Sequence, residues 1–359
     1  MTVYLSVSGR TVSTADAPTR EILVGTVEGV VRLTRERPGA AWREAGRSLA
    51  GQQVNALTRE PTRGLLFAGT QDAGLHVSAD DGRTWQRRDR GIEQARVWTV
   101  NYTRAGDRVR LYAGVEPAHL YVSDDLGENW AELAAMRDVP TVDQWFFPGE
   151  PNRGHVKHVN FDPTDPDTIY VSIEVGGMLK STDGGRSWRV LSGFYEDVHR
   201  VIPLASDPRH VYMATGEGLY ESFDAGETWT YLGRSIEGIM YADPLIVHPE
   251  RESVLFFAGA MTNPRYWRES RATTSRFVKS VDGGATWQVL GPGLPDPIPG
   301  SVEALGIEVW PGGCCVVAAT TDGAVFVSDD EGASWTVVDG LPGVGKDYHV
   351  AMLTPVASA

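Results

Sequence analysis

Ser181-Thr182-Asp183-Gly184-Gly185-Arg186-Ser187-Trp188 decides the fold. It reads Ser-x-Asp-x-Gly-x-x-Trp, and this octad occurs six times, starting at Ser78, Ser123, Ser181, Ser222, Ser280 and Ser328. Successive starts lie 45, 58, 41, 58 and 48 residues apart. A period in the forties marks a propeller or solenoid. The octad itself is turn chemistry: Asp bonds backbone N–H groups of its own turn, Gly supplies a positive φ, and Ser ties backbone to backbone. Trp is an apolar anchor between sheets. Six copies of one turn are a structural device, not six active sites.

Around each octad the pattern is constant. In the second repeat Val54–Leu57, Leu65–Thr70 and Gly74–Ser78 read as strands, the octad turns the chain, and Trp85-Gln86-Arg87 opens a fourth. Four short antiparallel strands make one propeller blade. Blade three runs over Val97–Leu133, blade four Val156–Leu191, blade five Val198–Leu232, blade six Ala242–Leu290 and blade seven Val302–Val338. Ahead of them Glu21–Thr26, Gly29–Leu33 and Trp42-Arg43 form a blade whose octad has decayed, with its tryptophan 43 residues before Trp85. The expectation is an all-β, seven-bladed propeller of four antiparallel strands per blade, one domain over residues 1–359. Two stretches compete to complete blade one: Tyr348–Pro355, which resembles a first strand, and Thr2–Val7. Closure by terminal strands removes loose sheet edges.

The octads resemble the Asp-box, or BNR, repeat of the sialidase-like propeller superfamily, across residues 78–335. Blade four, from Asp162-Pro163 through Ile169–Ser172 to Ser181–Gly185, also resembles repeats of xyloglucanase-type glycosidases, sortilin-type receptors and photosystem assembly factors. The resemblance implies the fold, with the octads between strands three and four on the face away from the usual ligand site. It does not extend to sialidase chemistry, since no Arg-Ile-Pro is present. Xyloglucanases of this type usually carry two propellers, and this chain has room for one. Fold alone transfers no activity.

The net charge of −14 argues against a nucleic-acid partner, which needs a basic footprint. No apolar run is long enough to cross a membrane, and Met1–Val7 lacks the marks of a signal peptide, so a cytoplasmic location is expected. Cys314 and Cys315 are neighbours in a strand pattern and read as buried free thiols.

A site is therefore sought on the face opposite the octads. Aligning the first strands on an apolar-x-any-apolar template puts Asn55, Trp98, Lys157, His199, Asp243, Glu303 and His349 at x, where strand alternation turns them away from their apolar neighbours. His199, Asp243, Glu303 and His349 suit a borderline divalent metal such as Zn, Mn or Fe. Without metal, His199, Asp243, Glu303 and Glu174 could act as acid and base, with Lys157 stabilising an anion. Polar residues on inner strands also line plain water-filled channels. The turns between strands two and three add Glu28, Asp72, Glu116, Glu174, Glu217 and Asp322, whose field favours cations. Of these, Glu116, Glu174 and Glu217 sit in position for paired carboxylate chemistry. His155 and His158 do not face one ion from a regular strand, and His155 alone joins the mouth.

Two stretches exceed a blade's needs: Ala134–Gly154, with Trp145-Phe146-Phe147, and Met261–Arg276, with Tyr266 and Trp267. Long aromatic loops on a rigid scaffold often bind ligands. Two functions follow. One is a propeller binding a small molecule or glycan at the channel mouth, with hydrolase or lyase chemistry of glycosidase type. It requires the aligned residues to converge. The other is a scaffold or assembly factor with a protein partner, which requires an open channel and an exposed apolar patch near Trp145–Phe147 or Tyr266–Trp267.

Overall fold

The computed structural model describes residues 2–148, 152–233, 236–267 and 273–345. It is an all-β ring of seven sheets, six of four strands and one of five. The six complete octads sit where expected, in the turn from third to fourth strand. At Ser181 the hydroxyl donates to Asp183 Oδ1 (2.8 Å) and accepts from Gly185 N (2.9 Å). Ser187 donates to the same carboxylate through N (2.9 Å) and Oγ (2.6 Å), and Trp188 Nε1 returns to Gly185 O (3.1 Å). These bonds hold the Asp183 carboxyl down, to about 2. Apolar side chains of neighbouring blades interlock along each seam. Between blades seven and one, Val3, Leu5, Ile22 and Val24 pack against Ala304, Cys315 and Val317.

The N-terminus closes the ring in an unexpected way. Thr2–Leu5 takes the inner slot of blade one, but parallel to Glu21–Thr26. Of the two competing closures, Tyr348–Pro355 lies outside the described residues. The chain then leaves blade one, arches across the channel, and descends as Val12–Thr14 parallel to the inner strand of blade seven, Val302–Trp310. That is why blade seven has a fifth strand.

The arch is tied to four blades. Ser6 Oγ accepts from Leu57 N (2.8 Å), and Ser8 N donates to Asn55 O (2.9 Å), both in blade two. Ser8 O accepts from Thr99 Oγ1 of blade three (2.7 Å), and Val7 O from the Arg200 guanidinium of blade five. Thr11 O accepts from Ile307 N of blade seven (2.9 Å). At Gly9 a Cβ would lie 2.2 Å from Leu57 O, so a residue without one is required. The channel is thus crossed by backbone, and the open water channel expected of the scaffold reading is not present among the described residues.

Candidate functional site

The inner strands of blades two to seven all start with a β-bulge. Register slips between Val54 and Ala56, Val97 and Thr99, Val156 and His158, Val198 and Arg200, Ala242 and Leu245, and Val302 and Ala304. Asn55, Trp98, Lys157, His199, Asp243 and Glu303 fall within these slips, and all six are buried. The aligned position is therefore special because of the bulge, not because of simple alternation. A bulge leaves one residue outside the ladder and re-aims its side chain. His349 lies outside the described residues.

The bulge residues of blades four and six meet across blade five. Lys157 Nζ lies 3.0 Å from Asp243 Oδ2 and 3.1 Å from Glu174 Oε2. Glu174 Oε2 is also 3.1 Å from His155 Nε2. Arg200 approaches Asp243 Oδ1 at 3.6 Å. His199 points Nδ1 at Ala242 O, while its Nε2 faces Asp197 Oδ1 (3.2 Å) and the Tyr241 hydroxyl (3.1 Å). The Lys157 side chain is 2% exposed, Glu174 3% and Asp243 5%, so this is a buried ion network.

Its electrostatics follow from burial against pairing. Burial would push the Lys157 ammonium down, but Asp243, Glu174 and Glu303 together hold it above its ordinary value. Burial would push Asp243 up, but Lys157, His199 and Arg200 hold it below the usual carboxylate range. His199 is likewise raised against burial, by Asp197 and Asp243. A glycosidase acid needs a carboxyl kept protonated near neutrality. Asp243 is driven the other way.

Metal ligation groups differently from the expected set. Among the described residues, Glu174, Asp197 and His199 bring three donor atoms within 4.8 Å of one another, whereas His199, Asp243 and Glu303 do not form such a group. Asp243 is instead held by Lys157 and Arg200. Even in the observed triad, the Lys157 ammonium lies against Glu174 and both His199 nitrogens have partners. With one of its three donors already paired to an ammonium, the triad is weakened as a site for a divalent ion. A second group, His248, Cys314 and Glu331, lies by Arg251 and Lys279, which pair with Glu331.

The remaining expected residues divide. Glu116 is buried, receiving Trp98 Nε1 (3.0 Å) and Arg96 (2.7 Å). Asn55 joins Gln53, Gln71 and Val97 O beside the arch. Glu217 lies on the blade-five turn, where its carbonyl accepts from Tyr231 (2.9 Å). Asp197 and Tyr241 escaped the template because they precede its first apolar residue. So do Gln53, Arg96 and His155, and this column packs directly behind the bulge residues. Aligning one residue further back finds it.

The two long insertions cover the network. Trp98 stacks on His155 (4.0 Å between centroids, 18°), and Phe147 meets the same ring edge-on at 5.3 Å. From the other side, Trp267 meets Tyr241 at 5.8 Å, and Tyr241 meets His199 at 5.0 Å. Phe147 and Trp267 are buried, while their neighbours Phe146 and Tyr266 stay 48% and 46% exposed.

The architecture is thus that of a seven-bladed propeller with a sealed charge network beneath two aromatic insertions. No family model matches the chain. A xyloglucanase of Paenibacillus sp. is 26% identical over 243 residues, covering 55% of this chain and 22% of that enzyme. This chain therefore matches less than a quarter of that relative's length. Among solved structures, an ancestral GH74 enzyme superposes with a TM-score of 0.59 at 16% identity, over 80% of this chain and 38% of that one. YCF48 bound to D1 peptide superposes with a TM-score of 0.55 at 13% identity, over 89% of this chain and 90% of that one. At these identities the structural likenesses establish the fold.

Proposed function

We propose that this chain is a binding propeller of the Asp-box class, and that a glycan or similar polyhydroxylated small molecule lies over blades four to six on the face opposite the octads. One observation carries the reading. Both insertions fold in over the same charge network, and each keeps one aromatic ring buried and presents the next. Phe146 and Tyr266 then offer apolar faces for sugar rings, set on a support fixed by Phe147 and Trp267. Support also comes from the xyloglucanase relative.

Binding without chemistry is the form the network favours. Lys157 sits between two carboxylates, so neither is poised as a general acid and the ammonium is not available to stabilise a ligand anion. The network acts as a rigid floor. Isothermal titration with xyloglucan and cello-oligosaccharides tests the reading. Phe146→Ala and Tyr266→Ala should each weaken binding by about tenfold or more, roughly 1.4 kcal/mol, with unchanged thermal stability. No saccharide binding at millimolar concentration, or wild-type affinity in both variants, would refute it.

A scaffold reading is favoured by a different observation. Tyr195, Tyr231 and Met240 are also exposed, in the blade-five region of the same face, and extend the apolar surface beyond a small saccharide's footprint. YCF48, which shares the fold, has been captured with a peptide. This reading requires binding of a displayed peptide that is lost when Tyr195, Tyr231 and Met240 are replaced together by Ser, and that saccharide does not displace.

A further inference from the structure

The N-terminal arch divides the channel, and the half on the octad face is a cavity of about 500 Å³. The arch contributes Gly9–Val12 as one wall, and the ends of the inner strands of blades three to six contribute most of the rest, with Pro61 of blade two and Leu305 of blade seven. Its lining is apolar at Phe161, Leu204, Leu245 and Val247.

Its charge runs against that of the whole chain. Arg10, Arg104 and Arg200 line it, in a protein of net charge −14. Arg10 and Arg104 are exposed, and the Arg10 guanidinium lies over the Tyr102 ring at 4.5 Å. The two acids in the lining are already engaged by loop backbone, Asp162 by its own loop and Glu252 by the neighbouring blade-five loop. Asp162 accepts from Thr164 N (2.7 Å) and Asp165 N (3.1 Å), and Glu252 from Ala205 N (2.6 Å) and Ser206 N. Deeper in, two buried side chains have polar atoms with no partner: Arg200 Nη1 and His158 Nδ1. Arg200 is 7% exposed and His158 8%. A buried donor left unpaired is costly, so a partner is expected there.

We infer that this vestibule is a binding site for a small organic anion with an apolar body, of the aromatic or branched aliphatic monocarboxylate class. The carboxylate is met by Arg200 and His158 at the inner end, Arg10 and Arg104 at the rim add a positive field that favours it, and the body packs on Phe161, Leu204 and Leu245. Guanidinium groups suit planar carboxylates through paired N–H donors. The site opens on the other side of the arch from the saccharide face, although Arg200 also approaches Asp243 of the network beneath that face.

The probe is 4-phenylbutyrate, compared by isothermal titration with its neutral amide and with inorganic phosphate. The carboxylate should bind one to one, and the amide about tenfold or more weaker, equivalent to roughly 1.4 kcal/mol. Inorganic phosphate, lacking the body, should be weaker as well. Arg10→Glu with Arg104→Glu touches only exposed rim residues. It should reduce carboxylate affinity about tenfold by reversing local charge, at unchanged thermal midpoint. Arg200→Gln should abolish binding, and the rim pair keeps the test valid should that variant not fold. Equal binding of acid and amide, equal binding of phosphate, an unaffected rim variant, or no binding of phenylbutyrate would each overturn the inference. Saturating oligosaccharide should not displace the carboxylate, which separates failure of this site from failure of the other.

Discussion

Replacing Lys157 with Met isolates the value of the buried network. The stem keeps nearly its volume, so packing loss is small. What disappears is the ammonium held 3.0 Å from Asp243 and 3.1 Å from Glu174. Both carboxylates stay buried. Asp243 keeps Arg200 at 3.6 Å, and Glu174 keeps His155 at 3.1 Å. Removing one partner of a buried ion pair costs about 3–5 kcal/mol, and the residual partners place the loss near the lower end. The pH dependence gives the sharper check. In the parent, Asp243 is held below its unfolded value, so its contribution is present above that value and lost as pH falls through the folded one. In the variant, burial without the lysine raises Asp243 above its unfolded value. The variant is then relatively stabilised as pH falls through that raised value. Urea denaturation followed by tryptophan fluorescence should show a deficit of about 3 kcal/mol near pH 8 that narrows toward about pH 5. A deficit below about 1 kcal/mol near neutrality, or one that does not change with pH, would refute the reasoning.

Other outcomes follow from the same structure. Ser181→Ala removes a buried hydroxyl that bonds Asp183 and Gly185, and should cost about 1–2 kcal/mol in the same assay. The octad carboxyls of Asp183, Asp224 and Asp282 are held at about 2, chiefly by hydrogen bonds from their own turns, so their stabilisation is present above the ordinary carboxyl range and lost as pH falls toward about 2. A circular-dichroism titration should place acid unfolding in that window, with a shallower slope in Asp183→Asn. Gly9→Ala drives a Cβ against Leu57 O and should destabilise by about 1–3 kcal/mol, read as a lower thermal midpoint. Burial raises the Cys314 thiol to about 11 and the Cys315 thiol further, so native protein should resist thiol reagents and denatured protein should release both.

The octads made the fold legible because each is a local turn whose residues are fixed by backbone geometry. Six copies then counted six of the seven blades, and the spacing of Trp42 from Trp85 supplied the other. The inner ring was legible for a related reason: a bulge recurs at one position, so aligning the strands on Val54, Val97, Val156, Val198 and Val302 lands on the bulged residue each time. Its chemistry was less legible. Which carboxylate Lys157 meets depends on reach across the channel, from blade four to blade six, and no spacing along the chain encodes that. Asp197 and Tyr241 lay one residue outside the template. The arch was hidden because Ser6–Thr11 has no periodicity, and its bonds reach backbone, hydroxyl and guanidinium groups on four other blades. The Arg-lined vestibule on the octad face has no sequence signal of its own, because the arch forms one of its walls.

The arch also sets the order in which the molecule can be built. Thr19 bonds Glu308 at 2.6 Å although 289 residues separate them. Val7 meets Arg200 across 193 residues. Closing a loop of that first length costs about 5 kcal/mol in chain entropy, against about 2 kcal/mol for a hairpin within one blade. Blades can therefore form locally as the chain leaves the ribosome, while the segment synthesised before all of them must wait for blade seven before both of its sides are covered. The arch, although it precedes every octad along the chain, is among the last segments to be secured, and a nascent chain carries its own keystone exposed until then.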